Sequence, residues 1–487
     1  MEKFLNTRPK PTGNRPPPRP APTPAPVAKP IVPDVPRELG WLPDCVYTGE
    51  KFESGLAFFA DAHGRISRFS REPADLAMAR RLAGQAALPG LINGHSHAWH
   101  RALRGRAESR SRVAGEPLAP WHEALARVAG RLSAEDVFDT ARMAFMEMLA
   151  SGITCVGEFH ELHHQPDGTP WPEPNRLAQE VLRAAHDIGV RLALFNVAGA
   201  QGGPAGTLTT GADQFLRETE SLRGFMEKNF PADDAWLGVA ANNIRAVPPD
   251  YLKAVATYAH GQRLRFHLQV AEHAAERAAC VAEHGRTPVT LLAERGLIDK
   301  RFTAVNAIHL TDDEIKVLGA ARAAVCACPT SARNLGLGAV PVEKLLAANA
   351  TVALGSDSQV QVDLLEDARL LEYHLRSARG ERAVLAPEIA TTLFRAATVA
   401  GARSLGATGG ALEVGRPADF FTANLYDLSI AGAEPGALLA NIVFSLERRA
   451  IREVWIGGRQ IIVNGRHPLQ GPIVARFVEA QKRLWAG

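Results

Sequence analysis

The run LINGHSH ends in two histidines, His95 and His97, separated by a single serine. Side chains repeat every second residue along a strand, so both imidazoles project to the same side. Two neutral imidazoles one strand step apart can chelate Zn²⁺ or Fe²⁺. Far downstream, TVALGSDS presents Asp357, and the run between them, RFHLQVAEH, carries His267, Gln269 and Glu272. Imidazoles and carboxylates of this kind can hold a metal ion and move protons, provided that the fold brings them together.

Short apolar runs alternate with Ala-, Leu- and Arg-rich helical stretches through the middle of the chain. The strand candidates are AALPGLINGHSH, GITCVGEFH, RLALFNVAG, AWLGVAANN, RLRFHLQVAE, FTAVNAIHL, AAVCACP and TVALGSDS. Their number and rhythm predict an α/β protein built on a (β/α)₈ TIM barrel over residues 86–411. Most of these runs end in polar groups, among them Glu158, His160, Asn242, Asn243, Glu272, Asn306 and His309. In such a barrel the C-terminal strand ends line one mouth, and the first and last strands are neighbours, so Asp357 should face His95 and His97. Short alternating runs flank the barrel, in CVYTGEKFESGLAFFADAHGRISRF and again in GALEVGRPADFFTANL and IREVWIGGRQIIVNGR. They predict a small β-sandwich domain assembled from residues 40–85 and 412–487, the latter also holding a terminal helix. Twelve of the 33 prolines lie between Pro9 and Pro36, which predicts an extended, disordered tail over residues 1–39.

Composition excludes several classes. Lys and Arg total 55 against 52 Asp and Glu, a net charge of +3 that is too small and too evenly spread to point to nucleic acid or an anionic membrane. The five cysteines are scattered and odd in number, against a secreted disulfide framework. Cys326 and Cys328 sit in an apolar run and read as buried strand residues. With no apolar run of membrane-spanning length and no charged-then-apolar leader, a cytoplasmic protein acting on a small molecule is expected.

In order and spacing, LPGLINGHSHAWHRALRG, GEFHELHHQPDG, HLQVAEH, NAIHLTDDE, NLGLG, GSDS and GRPADFF resemble the amidohydrolase superfamily, and within it the formimidoylglutamate deiminase branch. The resemblance runs from about Asp44 to the C-terminus. It implies one divalent ion, zinc by preference with iron or manganese as alternatives, held by His95, His97, the strand-five position Gln269 and Asp357. It also implies that Asp357 takes a proton from water, that Glu272 passes one to the departing ammonia, and that Asn306 stands where the substrate is polarised. A homodimer is expected by the same resemblance.

Three positions depart from that pattern. Relatives read approximately H-I-H-I-A-E where this chain has HLQVAE, so Gln269 replaces an imidazole. Asn306 and Gln359 replace two more. An amide oxygen can ligate a divalent ion, but it is neutral and a poor match for zinc. His100 and His309 could approach the ion from above, whereas His267, two residues before Gln269, should lie one layer deeper, about 6 to 7 Å away, and reads as a hydrogen-bonded core histidine; His160, His163 and His164 cluster at the second strand's mouth. The substrate positions implied by the resemblance are His100, His122, Glu161, Asn242 and Arg245, of which only Arg245 clearly persists. His122 in place of arginine and Glu161 in place of tyrosine weaken the field that a dicarboxylate needs. The expected function is therefore a hydrolase or deaminase acting on an amidine- or imine-like C–N bond of a different small molecule. The alternatives are a catalytically silent barrel that binds a small molecule or partner, and a metal-assisted lyase or cyclase.

Overall fold

The computed structural model describes residues 38–201, 203, 207 and 211–486, and the proline-rich segment expected over residues 1–39 lies outside them except for its last two residues. Two eight-stranded sheets carry the described chain. The first draws β1 (Glu38–Tyr47), β2 (Phe52–Ser54), β3 (Ala57–Asp61), β4 (Ile66–Ser70) and β5 (Arg80–Pro89) from the N-terminal region. The second sheet follows as β6 (Leu91–Ser96), β7 (Ile153–His160), β8 (Arg191–Ala198), β9 (Ala235–Ala241), β10 (Phe266–Val270), β11 (Phe302–Asn306), β12 (Ala324–Ala327) and β13 (Thr351–Leu354). The chain then returns to the first sheet with β14 (Phe420–Asn424), β15 (Ile451–Ile456) and β16 (Arg459–Ile462). Antiparallel pairing of β5 with β14, Leu88 opposite Phe421, is where the two terminal regions join.

The second sheet is the (β/α)₈ barrel. Its strands pair in parallel and in chain order. The ring closes between β6 and the end of β13 by a parallel bridge of Ser96 with Asp357. There the Asp357 amide donates to the His95 carbonyl at 3.0 Å, and the His97 amide donates to the Asp357 carbonyl at 3.2 Å. Every residue of β6, β7, β8 and β11 is buried. Helices cover the outside and side chains fill the inside, which is why these strands read in the sequence as unbroken apolar runs.

Within the ring, Phe159, Phe195, Val305 and Cys326 form a closed core. Cys328 belongs to the same cluster, so both cysteines of VCACP are buried structural residues. His267 also lies there, stacked on Phe195 with ring centroids 3.9 Å apart and with Nε2 3.0 Å from the Ser404 carbonyl. Burial pushes its pKa down to about 3, so it is a neutral core histidine.

One strand reading needs correction. AALPGLINGHSH was expected as a single barrel strand, yet it divides at Gly90, with Arg80–Pro89 in the terminal sheet and Leu91–Ser96 in the barrel. A Cβ on Gly90 would stand 2.1 Å from Thr154 Oγ1, so the crossing between sheets requires glycine. Apolar character is the same on both sides of it, which hides the break from periodicity.

A buried ion pair ties the two sheets together. Arg191 of β8 reaches Asp419, just before β14, with Nε 2.7 Å from Oδ2 and Nη2 3.1 Å from Oδ1, and Asp419 Oδ1 also accepts from the Gly457 amide. Removing one partner strands the other charge in a buried place. Asp419→Ala is accordingly expected to lower stability by about 3 kcal/mol, read as a drop in the denaturant midpoint. An unchanged midpoint would show that Arg191 finds equivalent partners in Asp234 and water. No described helix is long and apolar enough to cross a membrane.

Candidate metal centre and cavity

His95 is the next-to-last residue of strand β6 and His97 lies just beyond it, both buried, with their rings nearly perpendicular at 85°. Phe159 packs edge-on against His95 at 4.4 Å and fixes the ring from below. Asp357, three residues past β13, arrives across the seam of the barrel. Its Oδ1 is 3.5 Å from His95 Nε2 and 3.8 Å from His97 Nε2. These separations are longer than an ordinary hydrogen bond, and both Nε2 atoms are buried without a hydrogen-bond partner. Donors about 2.1 Å from a tetrahedral ion stand about 3.4 Å apart. The three side chains are thus spaced as ligands of one ion, and the two orphaned nitrogens fit a role as metal donors.

Asp357 is held in that position from behind. The Ser331 hydroxyl donates to its Oδ2 at 2.8 Å. Its backbone is left-handed, with φ 49°, and so are Asn306 at 66° and Gln359 at 60° around the same mouth. Such conformations cost energy in non-glycine residues and persist only where the surroundings impose them. Burial opposes ionisation of Asp357, but His95, His97 and Ser331 outweigh it and hold the carboxyl below the usual carboxylate range. The imidazoles differ from one another. Burial pushes His95 down, whereas for His97 the penalty of burial is overcome by Glu161 and Asp357, which push it up to about 9.

Glu161 lies behind His97, with Oε1 2.9 Å from Nδ1. The same oxygen accepts from Trp99 Nε1 at 3.1 Å, and Oε2 accepts a long 3.4 Å bond from Asn242 Nδ2. His100 stacks on His97 at 8° and 4.5 Å, with Nε2 3.5 Å from Glu161 Oε1. His97, His100 and Glu161 are close enough to be considered a second ligand group. Nearly parallel rings, however, send their in-plane lone pairs side by side, and a single ion cannot lie in both planes.

These groups face a cavity of about 1030 Å³. His97, Asp357, Gln269 and Glu272 line it, and so do all five positions expected at the substrate: His100, His122, Glu161, Asn242 and Arg245. Glu272, past the end of β10, accepts from Asn306 Nδ2 at 2.8 Å and has His273 Nε2 3.4 Å from its other oxygen. Asn306 therefore fixes Glu272, while its own Oδ1 is buried and unpartnered. Gln359 does not reach toward the ligands; its Nε2 donates to Ser96 Oγ at 2.9 Å and to Ser356 Oγ at 3.0 Å, locking the seam.

Neither His309 nor His100 joins the three ligands: His309 Nε2 is 3.0 Å from the Leu337 carbonyl, and His100 Nε2 is 3.5 Å from Glu161. His267 lies in the barrel core as expected, and in the cluster at the second strand's mouth His163 contacts the Val197 carbonyl at 2.7 Å. Sequence reasoning missed Ser331 as the partner of Asp357, because nothing in CPTSARN marks it. Glu158 was visible as a strand-end group but not its task. It accepts from Ser96 Oγ at 2.5 Å and from the Ala98 amide at 2.6 Å, shaping the turn that carries the histidines, and burial pushes its pKa up to about 8.

The sequence profile of the Amidohydrolase family matches residues 86–461. The formimidoylglutamate deiminase of Pseudomonas aeruginosa is 34% identical over 450 residues, covering 89% of this chain and 97% of that protein. A 5-methylthioadenosine/S-adenosylhomocysteine deaminase of Moorella thermoacetica is 28% identical over 394 residues, covering 78% and 82%. Among solved structures, an amidohydrolase from Brucella melitensis superposes with a TM-score of 0.84 at 28% identity, covering 92% of this chain and 100% of that one.

Proposed function

The chain belongs to the amidohydrolase family, and from that premise we propose that it is a metal-dependent deaminase that hydrolyses the C–N bond of a small amidine- or imine-like molecule other than formimidoylglutamate. The observation that carries this reading is the convergence of His95, His97 and Asp357 at 3.5 and 3.8 Å, with His97, Asp357 and Glu272 lining one open cavity. The loss of imidazole at Gln269 and Asn306 has not filled that space with apolar bulk, as a silent barrel would permit.

His95, His97 and Asp357 would hold the ion, with the Gln269 amide oxygen as the weak fourth donor. When bound, a zinc ion supplies the positive charge that acidifies water toward neutral pH and polarises the substrate. Asp357, kept ionised, accepts a proton at Oδ1 from the attacking water. Glu272, steadied by Asn306, delivers a proton to the nitrogen that leaves as ammonia. Asn306 orients that carboxyl but cannot carry charge or exchange a proton itself. Arg245, exposed and lining the cavity, can bind an anionic group, while Glu161 and His122 leave no second cation for a dicarboxylate.

Protein purified without chelators is expected to contain close to one equivalent of divalent metal and to release ammonia from members of an amidine and imine panel. Gln269→His is expected to tighten metal binding by at least about 10-fold, measured by competition with a chromophoric chelator. Metal-free protein that gains no affinity from Gln269→His would remove this reading.

A further inference from the structure

We propose that Glu161 is a positioning residue of the metal centre: pressed against the back of His97, its carboxylate strengthens that imidazole as a donor and offsets the imidazole missing at Gln269. The inference rests on the metal centre proposed above. The geometry of His97 carries it. One ring nitrogen, Nε2, faces Asp357 Oδ1 at 3.8 Å, and the other, Nδ1, stands 2.9 Å from Glu161 Oε1. The two nitrogens thus address two different carboxylates, one in the ligand group and one behind it. A carboxylate on the far nitrogen of a ligating histidine fixes its ring and raises its basicity.

The carboxylate is built into this place. Glu161 is 7% exposed, and Trp99 and Asn242 hold its two oxygens. His100 also approaches this carboxylate, but its Nε2 stands 3.5 Å from Oε1 where His97 Nδ1 stands at 2.9 Å, so Glu161 bears most closely on His97. The contact of His97 with Glu161 lacks the alignment of a well-formed hydrogen bond.

Charge balance points the same way. A buried dication facing Asp357 alone keeps one uncompensated positive charge, and neither the neutral Gln269 nor an imidazole there would remove it. Asp357 and Glu161 together supply two negative charges at the two sides of His97, which makes the buried assembly neutral. A chain with a weak fourth donor has the most to gain from that balance.

The test uses the full chain stripped of metal and titrated with Co²⁺, whose visible absorption reports the strength of the ligand field. Dissociation constants are measured by chelator competition for the wild type, Glu161→Gln, Gln269→His and the double variant. Glu161→Gln is expected to weaken Co²⁺ binding about 10- to 100-fold and to shift its absorption bands. The double variant is expected to recover tight binding, with the thermal midpoint of the metal-free proteins unchanged throughout. If the wild type binds Co²⁺ and Glu161→Gln binds it within about threefold with the same spectrum, the role of Glu161 is overturned and the metal centre stands. If the wild type takes up no Co²⁺, both fall. Should Glu161→Gln fail to fold, Glu161→Asp, which withdraws the charge from Nδ1 without abolishing it, is expected to weaken binding by at least several-fold; unaltered binding overturns the proposal equally.

Discussion

Protein carrying Asp357→Asn is expected to lose at least about 10⁴-fold in turnover, equivalent to about 5.5 kcal/mol of barrier, together with most of its bound metal. Two functions disappear in one substitution. Asparagine brings no negative charge to the ion, and it cannot accept a proton at the oxygen that faces His95 and His97. The scaffold should tolerate the change. Asparagine readily adopts the left-handed backbone found at this position, φ 49°. The bonds that close the barrel here use the backbone amide and carbonyl of residue 357 and leave its side chain out. Elemental analysis and ammonia release measured on the same preparation separate this outcome from misfolding, which circular dichroism would reveal. Activity within tenfold of the wild type would mean that another group takes the proton and that the site lies elsewhere.

Glu272→Gln is expected to behave differently, lowering turnover by about 10²- to 10³-fold while metal content stays at the wild-type level. Glu272 is not part of the three-ligand group, and its oxygen accepts from Asn306 Nδ2 at 2.8 Å, a bond that a glutamine oxygen can keep. The substitution therefore removes the proton and preserves the shape. The defect should shrink for substrates whose departing nitrogen is less basic, because such a group needs less help from an acid. Equal defects for good and poor leaving groups would assign Glu272 to substrate binding.

The barrel and the meeting of its two ends were legible because both rest on pattern. Eight apolar runs at regular intervals dictate the ring, and ring closure alone places Asp357 beside His95 and His97. Side-chain partnerships across long stretches of chain were not legible. Gln359 stands out in the sequence as a lost imidazole at the centre of the site, yet in the fold it is a seam residue bonded to Ser96 and Ser356. Glu161 read as part of the substrate wall, since nothing in FHELHH shows that its carboxylate turns toward His97, a residue more than 60 positions away whose ring it meets only because β6 and β7 are neighbours. Ser331 and the left-handed backbone of Asp357, Asn306 and Gln359 belong to the same class. They follow from how loops pack at strand ends, where no periodicity operates. The division of AALPGLINGHSH was hidden for the opposite reason, because both sheets demand buried apolar residues and only Gly90 marks the transfer.

The last two bonds that shut the barrel are made by the backbones of the same residues whose side chains converge at 3.5 and 3.8 Å. A cation gripped there would act as a rivet through the weakest circumference of the hoop, pulling tight from the side chains what the main chain has only latched. Loading the centre and stiffening the ring would then be one event, and cations that grip more firmly would leave the hoop harder to spring open.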